Sequence, residues 1–226
     1  MDAAVAIVTG AAGALGRATS MTLTDRGFTV VAVDRNKQAL SELPDSIRSE
    51  VADTTDPAVP RPLIDRIAAE VGPPQVLVNT LGAFEQGDAL AATPETLGRM
   101  IDVNLGAALW LSQAVAPHME QRGSGAIVHV TARPAIDPTP GMAAYSVSKA
   151  ALAYLTRVLD VELRPRGIRV NAIAPQLMAT PANQAVFPPA VLAHAVAPEV
   201  IAGLIAFMVS DAAAPVSGAI LPAYGS

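Results

Sequence analysis

Cysteine is absent from this chain of 226 residues, and lysine and histidine are scarce. Without cysteine there is no disulfide, no thiolate nucleophile and no zinc–thiolate site. The three histidines, His118, His129 and His194, are dispersed along the sequence, so we expect no metal site. Only two lysines occur, Lys37 and Lys149, whereas arginine fills the other basic positions. A lysine retained at position 149 therefore indicates a specific role.

Long apolar runs and clusters of positive charge are also missing. The apolar stretch at residues 200–209 covers ten residues, whereas a helix that spans a bilayer needs about 20. No charged and apolar leader precedes the first predicted strand, so we expect no signal peptide. A net charge of −5 without basic clusters argues against a nucleic-acid partner. These features predict a cytoplasmic protein without a membrane partner.

Strand-like and helix-like segments alternate along the whole chain. The length suits one α/β domain, residues 1–226, and the apolar content of 51% suits buried parallel strands. We predict strands at 4–9, 28–33, 48–52, 75–79, 125–131, 168–173 and 218–222, and helices at 14–26, 57–71, 93–119, 145–165 and 198–210. This alternation predicts a doubly wound parallel sheet of about seven strands with helices on both faces.

A glycine-rich turn separates the first predicted strand from the first predicted helix. Gly10, Gly13 and Gly16 let the backbone approach a ligand, and the N–H groups that open the helix favour an anion. About twenty residues further on, Asp34 ends the second predicted strand. A carboxylate at that place binds both hydroxyls of a ribose and repels a 2′-phosphate. Together these features predict a dinucleotide site.

Tyr145 and Lys149 stand one helical turn apart in the run AAYSVSKAALAYL. Residues four positions apart share a helix face, so the phenol and the ammonium point into the same space. A neighbouring ammonium favours the phenolate and makes the phenol a usable proton donor or acceptor near neutral pH. The pair predicts an acid–base centre beside the nucleotide site.

A proline-rich segment, residues 176–197, follows the sixth predicted strand. Pro181, Pro188 and Pro189 limit its freedom, and many of its residues are apolar. The segment leaves the carboxyl end of the sheet, where open α/β folds bind ligands. We therefore predict a lid over a substrate rather than a disordered insertion.

Together these motifs resemble the short-chain dehydrogenase/reductase family over essentially the whole chain. The family's glycine motif matches residues 9–16, although Ala14 stands where many members have a further glycine. The resemblance implies a single Rossmann-like domain that binds NAD(H) in preference to NADP(H), with Asp34 on the ribose. The other implied cofactor contacts are Gly10, Gly13, Ala14, Leu15, Gly16, Asp53, Thr54, Asn79, Tyr145, Lys149, Pro175 and Thr180.

The resemblance also implies three catalytic residues, Tyr145, Lys149 and Asn104. The family's tyrosine exchanges a proton with the substrate, while its lysine lowers the pKa of the tyrosine and holds the nicotinamide ribose. Asn104 matches the asparagine that holds the lysine and a water of the proton relay. The chain departs from the family pattern after Pro175, where Gln176 replaces the usual glycine.

The family's catalytic serine is missing, since the residue thirteen positions before Tyr145 is Ala132. Thr131 is adjacent, but alternation along a strand turns its side chain to the other face. That serine normally donates a hydrogen bond to the developing oxyanion, and losing one such donor costs on the order of 3 kcal/mol. Residues 137–145 are similar to the quinonoid dihydropteridine reductases, family members that work without this serine. The substrate class is therefore open.

Several of these residues have a second interpretation. Asp34 could instead cap the helical segment that begins at Asn36, and Asp53 could be a turn residue. His129 lies in an apolar strand, which favours a hydrogen-bonded core residue over a catalytic base. Arg133 either binds an acidic substrate or caps its own loop, and the sequence does not choose between the two.

The sequence as a whole predicts an NAD(H)-dependent oxidoreductase for a small or medium-sized apolar ketone or alcohol. The alternatives are a reductase of a quinonoid or imine substrate, and an NAD-binding scaffold or sensor without turnover. The predicted helices 93–119 and 145–165 are apolar around much of their circumference, and the family commonly pairs them across a twofold axis. We therefore expect a homodimer or homotetramer with a small-molecule substrate.

Overall fold

Seven parallel strands form the central sheet of the protein, for which a computed structural model describes residues 3–225. They are β1 Val5–Thr9, β2 Thr29–Asp34, β3 Arg48–Val51, β4 Pro74–Asn79, β5 Gly125–Val130, β6 Ile168–Pro175 and β7 Ile220–Ala223. Their order across the sheet is β3-β2-β1-β4-β5-β6-β7. The predicted doubly wound parallel sheet is confirmed, and residues 1, 2 and 226 of the predicted domain lie outside the described part.

Helices cover both faces of this sheet. They are α1 Ala14–Asp25, α2 Lys37–Leu40, α3 Pro60–Glu70, α4 Pro94–Ile101, α5 Ala107–Arg122, α6 Ala143–Leu163, α7 Pro181–Val186, α8 Pro189–Leu192 and α9 Pro198–Val209. Side chains of α1 and α9 pack with Ala6 and Val8 of β1, whereas those of α3, α5 and α6 pack with Val5 and Ile7. One apolar strand serves two cores because its side chains alternate between the faces. Among the described helices, none is long and apolar enough to cross a membrane.

The helix predicted at 93–119 contains a π-helical turn. α4 continues through Asp102–Gly106 with π-helical hydrogen bonding and resumes as α5, whose C-cap is Gly123 with a φ of 68°. A π-turn inserts an extra residue into the helical ladder and often occurs at functional sites. The predicted helical run is present, and this wider turn carries Asn104.

The proline-rich segment contains two short helices, α7 and α8, that the sequence did not reveal. Thr180 precedes α7, and its hydroxyl oxygen accepts a hydrogen bond from the backbone N–H of Asn183 at 3.2 Å. A bridge between Met178 and Val196 joins the two ends of the segment. The capped helix α7 and the paired ends give this part of the chain a defined shape beside the carboxyl end of β6.

The strand order places a crevice at the carboxyl ends of β1 and β4. β2 and β3 lie on one side of β1, and the chain then crosses back so that β4 lies on the other side. Doubly wound sheets bind ligands where the strand order reverses in this way. Thr9 and Asn79, the last residues of the two strands, are paired in register at this point.

Candidate active site

The loop between β1 and α1 requires glycine at two positions. Gly10 has a φ of 68°, and a Cβ there would lie 2.6 Å from the backbone nitrogen of Leu81. A Cβ at Gly16 would lie 2.2 Å from the carbonyl oxygen of Gly10. Gly13 is the N-cap of α1 and donates its N–H to the carbonyl of Gly10 at 3.0 Å. The loop therefore folds tightly against the start of the helix, as a phosphate-binding turn must.

Asp34 lies at the carboxyl end of β2 and contacts this loop. Its Oδ2 accepts a hydrogen bond from the N–H of Ala12 at 3.1 Å, and its Oδ1 accepts one from Asn36 at 2.9 Å. Asn36, not Asp34, is the N-cap of α2, because its side chain accepts the N–H of Ala39 at 3.1 Å. The capping interpretation of Asp34 is therefore wrong, and its carboxylate stands beside the glycine turn.

Asp53 forms the turn that the second interpretation predicted. Its Oδ1 accepts hydrogen bonds from the backbone N–H and the hydroxyl of Thr55, at 3.1 and 2.6 Å. These bonds, with a smaller contribution from Arg35 at 3.8 Å, lower the pKa of the Asp53 carboxyl. Asp53 is exposed and the adjacent Thr54 is buried. A contact of either residue with a cofactor stays a prediction.

The side-chain Nδ2 of Asn79 is a buried hydrogen-bond donor without a partner among the described residues. The hydroxyl of Thr9 donates to its Oδ1, whereas within the described part of the chain its Nδ2 has no acceptor. An orphaned buried donor costs free energy unless a ligand or water satisfies it. Ala14 and Leu15 are the first residues of α1, which begins beside β1 and β4. The backbone N–H groups in the first turn of a helix also lack an intrahelical acceptor. These groups fit a dinucleotide at the crevice.

Tyr145 lies in the first turn of α6 and is half-buried. The ring of Phe84 packs edge-on against it, with ring centres 5.0 Å apart and planes at 83°. Loss of hydration raises the pKa of Tyr145 to about 12, opposite to the direction predicted from the neighbouring lysine. Lys149 is buried, donates from Nζ to the carbonyl of Val130 at 2.9 Å, and has a pKa lowered by burial to about 8.

Asn104 ties the π-helical turn to the loop after β4. Its Oδ1 accepts the N–H of Ala83 at 2.9 Å, and its Nδ2 donates to the carbonyl of Ala83 at 3.0 Å and to the hydroxyl of Ser148 at 2.9 Å. Within residues 3–225 Asn104 makes no direct hydrogen bond to Lys149, and its role in holding the lysine and a water of the proton relay stays a prediction. A Cβ at Gly82 would lie 3.0 Å from Lys149 Nζ and 3.1 Å from Asn104 Oδ1, so this glycine lets both groups approach the same loop.

A cavity of about 490 Å³ opens between Tyr145 and the proline-rich segment. Ala132 lies in its wall with an extended backbone and no hydroxyl. Thr131 is buried outside this wall and donates to the carbonyl of Ile173 at 3.1 Å, so the predicted turn of its side chain to the other face is confirmed. Pro175 lies in the wall as well, at the end of β6. The cavity is large enough for a small or medium-sized substrate.

Arg133 belongs to a cluster that sequence analysis did not find. Its Nε lies 3.2 Å from Oδ2 of Asp137, and its Nη1 lies 3.0 Å from Oε1 of Gln176. Its guanidinium carbon lies 4.9 Å from the ring centre of Tyr224, after β7. Arg133 is thus engaged by Asp137 of its own loop and by two segments distant in sequence, and only the departure from the family pattern at Gln176 offered a sequence signal.

His129 is a satisfied core residue, as predicted. Its Nε2 lies 3.2 Å from the hydroxyl of Ser112, and its Nδ1 lies 3.0 Å from that of Thr156. Burial, with a smaller contribution from the charge of Lys149, lowers the pKa of His129 to about 3. Across residues 3–225, no group of three or more His, Asp or Glu side chains is placed to hold a metal ion.

The fold and the site define a class of protein. A doubly wound sheet with a glycine turn at its switch point, next to a Tyr–Lys helix and a substrate-sized cavity, is the architecture of a nicotinamide-dependent oxidoreductase. The short chain dehydrogenase family profile matches residues 4–190. This chain belongs to the short-chain dehydrogenase/reductase family and is an NAD(P)-dependent oxidoreductase.

Relatives with several activities span nearly the whole chain. A 3-oxoacyl-(acyl-carrier-protein) reductase of Thermotoga maritima is 30% identical over 98% of this chain and 96% of its own length. A 4-formylbenzenesulfonate dehydrogenase of Comamonas testosteroni is 31% identical over 98% and 96%. A galactitol 2-dehydrogenase of Rhizobium johnstonii is 34% identical over 98% and 93%. These names differ in substrate, so family membership does not identify the substrate of this chain.

Solved structures agree with the fold along its whole length. The crystal structure of gox2181 superimposes with a TM-score of 0.92 at 26% identity, covering 99% of this chain and 95% of that one. A Burkholderia xenovorans protein assigned to the short-chain dehydrogenases/reductases gives 0.93 at 28% identity, covering 98% and 95%. The arrangement of sheet and helices is therefore that of the family.

Proposed function

We propose that this chain is an NAD(H)-preferring oxidoreductase that interconverts small or medium-sized apolar ketones and alcohols. The observation that carries the proposal is the cavity beside Tyr145, whose wall is largely apolar and aromatic. Phe84 and Met142 contribute to this wall, and Phe187 and Val191 join it from the proline-rich segment. The segment thus suits the role of a lid, because an apolar wall selects an apolar substrate body.

The chain's own residues supply the proton chemistry. A bound nicotinamide would supply or accept the hydride, and Tyr145 would donate its proton to the substrate oxygen during reduction. A pKa of about 12 keeps this phenol protonated at neutral pH, which suits a proton donor. Lys149 would hold the nicotinamide ribose with the donors that its bond to Val130 leaves free. Asn104 would stabilise the π-helical turn from which a water could restore the proton.

Steady-state kinetics with NADH against simple ketones, quinones and quinonoid pterins test this function. We expect turnover of apolar ketones, with rates that depend on substrate size because the cavity is bounded. Turnover of quinones and quinonoid pterins alone would overturn the ketone assignment. The second candidate, reduction of a quinonoid or imine substrate, is favoured by Ala132, since an activated substrate needs little oxyanion stabilisation.

The position of Asp34 leads to a prediction of tighter NADH than NADPH binding, by at least about tenfold. A carboxylate about 4 Å from a 2′-phosphate is repelled by roughly 4 kcal/mol per charge pair at an effective dielectric constant near 20, before screening. Fluorescence titration with both cofactors measures the ratio. Asp34→Asn is the matched control, because it keeps the shape and removes the charge, and the ratio should fall.

Equal affinities in the parent would contradict this prediction. They would implicate Arg17 or Arg35 in binding the phosphate. Arg17 is engaged by Glu42 at 2.8 Å and by the carbonyl of Ala39 at 3.3 Å, whereas the side chain of Arg35 is 77% exposed. Arg35→Ala would then distinguish the two arginines.

An exposed apolar stripe on α6 supports a homodimer or homotetramer. Val147, Tyr154, Val158 and Val161 are 56%, 70%, 37% and 72% exposed, and their spacing places them on one helix face. Burying such a face between identical helices is the usual outcome of symmetric association. We expect a dimeric or tetrameric mass by light scattering at micromolar concentration, and a smaller mass for Tyr154→Arg. A monomeric mass for the parent would contradict this proposal.

A further inference from the structure

Two departures from the family pattern lie at the ends of neighbouring strands. Ala132, in the place of the serine, follows β5, and Gln176, in the place of the glycine, follows β6. The two strands pair in parallel, with Val130 opposite Ile173. Both departures line the cavity that contains Tyr145. The position that lacks the serine hydroxyl, Ala132, and the position that gains a side-chain amide, Gln176, therefore line the same cavity.

The hydrogen bond to Arg133 orients the Gln176 amide. Nη1 of Arg133 lies 3.0 Å from Oε1 of Gln176. A guanidinium only donates hydrogen bonds, so the amide oxygen must face it and the NH₂ group must point elsewhere. In the described part of the chain, nothing accepts a hydrogen bond from this NH₂ group. Gln176 thus keeps two N–H donors at the cavity wall.

Arg133 is held firmly enough to act as a support. Asp137 binds its Nε, Gln176 binds its Nη1, and the ring of Tyr224 packs against its plane. Asp137 compensates the charge of Arg133, which makes the guanidinium a poor site for a free anion. A planar and stacked guanidinium loses little conformational entropy per hydrogen bond and cannot be replaced by a lysine. Its geometry therefore suits fixing the amide of Gln176.

We propose that the Gln176 amide donates a hydrogen bond to the substrate oxygen as negative charge develops there, in place of the hydroxyl missing at Ala132. Arg133 is the positioning residue that holds the amide oxygen. The hydride still forms the new C–H bond and the Tyr145 proton the new O–H bond, while Gln176 adds only electrostatic stabilisation. This inference rests on the proposed carbonyl reduction.

Steady-state ketone reduction by Gln176→Ala tests the proposal. Loss of one preorganised donor should lower kcat by about 10² and change KM little, because the bond strengthens in the transition state. Gln176→Glu gives a second measurement, since it keeps the side-chain size and removes both donors. The matched control is Gln121→Ala, because Gln121 is exposed near the end of α5 and lies outside the cavity, and its kcat should equal the parent value.

Arg133→Ala distinguishes positioning from a general structural role. Alone, it should lower kcat toward the Gln176→Ala value. Combined with Gln176→Ala it should cause no further loss, because no amide is left to position. Multiplied losses in the double variant would show that Arg133 acts independently and would overturn its assigned role.

Rescue by Ala132→Ser is the decisive measurement. The new hydroxyl should raise kcat about 10² in Gln176→Ala but only about tenfold in the parent, where one donor already acts. Equal gains in both backgrounds, or a parent-like kcat for Gln176→Ala, overturn the inference and leave the proposed function standing. A parent that reduces no ketone with NADH overturns both.

Discussion

Turnover should fall by roughly 10³ when Tyr145 is replaced by phenylalanine, because the substrate oxygen loses its proton donor. The structure places the Tyr145 phenol in the wall of the cavity that Ala132 also lines. The substitution removes only the hydroxyl, so the edge-on contact of the ring with Phe84 remains. NADH affinity should therefore change by less than about threefold, since the ring still fills the same volume.

Single-turnover kinetics and a fluorescence titration with NADH separate these two effects. The parent should keep its proton donor through neutral pH and lose it only in strongly alkaline solution, because the pKa of Tyr145 is raised to about 12. If Tyr145→Phe retains turnover on every substrate, the phenol is not the proton source. If neither the parent nor any variant turns over while NADH still binds, the chain is a cofactor-binding protein without turnover.

Ala132→Ser should make the enzyme faster on a simple ketone, by about tenfold in the parent and about 10² without the Gln176 amide. Ala132 is buried in the cavity wall with an extended backbone, so one added oxygen reaches the substrate space without a change of fold. On a quinonoid or imine substrate the same change should have little effect, because less charge develops on an oxygen.

Comparison of kcat on both substrate types measures this difference. Ala135→Ser is the matched control, since it adds the same hydroxyl three residues further along and outside the cavity. An Ala132→Ser enzyme slower than the parent on simple ketones would rule out the ketone assignment. A gain on ketones with little change on quinonoid or imine substrates is the expected result.

Several features were predictable from the sequence because their signals are local. The apolar run at 4–9 followed by Gly10 predicted β1 and its turn, which the structure shows as Val5–Thr9. The helix predicted at 145–165, on which Tyr145 and Lys149 share a face, is present as α6, which begins at Ala143. In each case the cause is local: the periodicity of side chains along a helix or strand, or the need for glycine in a tight turn. A few consecutive residues are therefore enough to predict the feature.

Tertiary structure decided the contacts and electrostatics of the site. The sequence predicted a lowered pKa for Tyr145, but the surrounding protein desolvates the phenol and raises it. Arg133, Gln176 and Tyr224 meet only because β5, β6 and β7 are adjacent and in register. Such contacts join residues up to about ninety positions apart and depend on packing that no local pattern encodes. The sequence by itself therefore determined the family, the glycine turn and the Tyr–Lys pair, while the tertiary structure decided which residues line the cavity beside Tyr145.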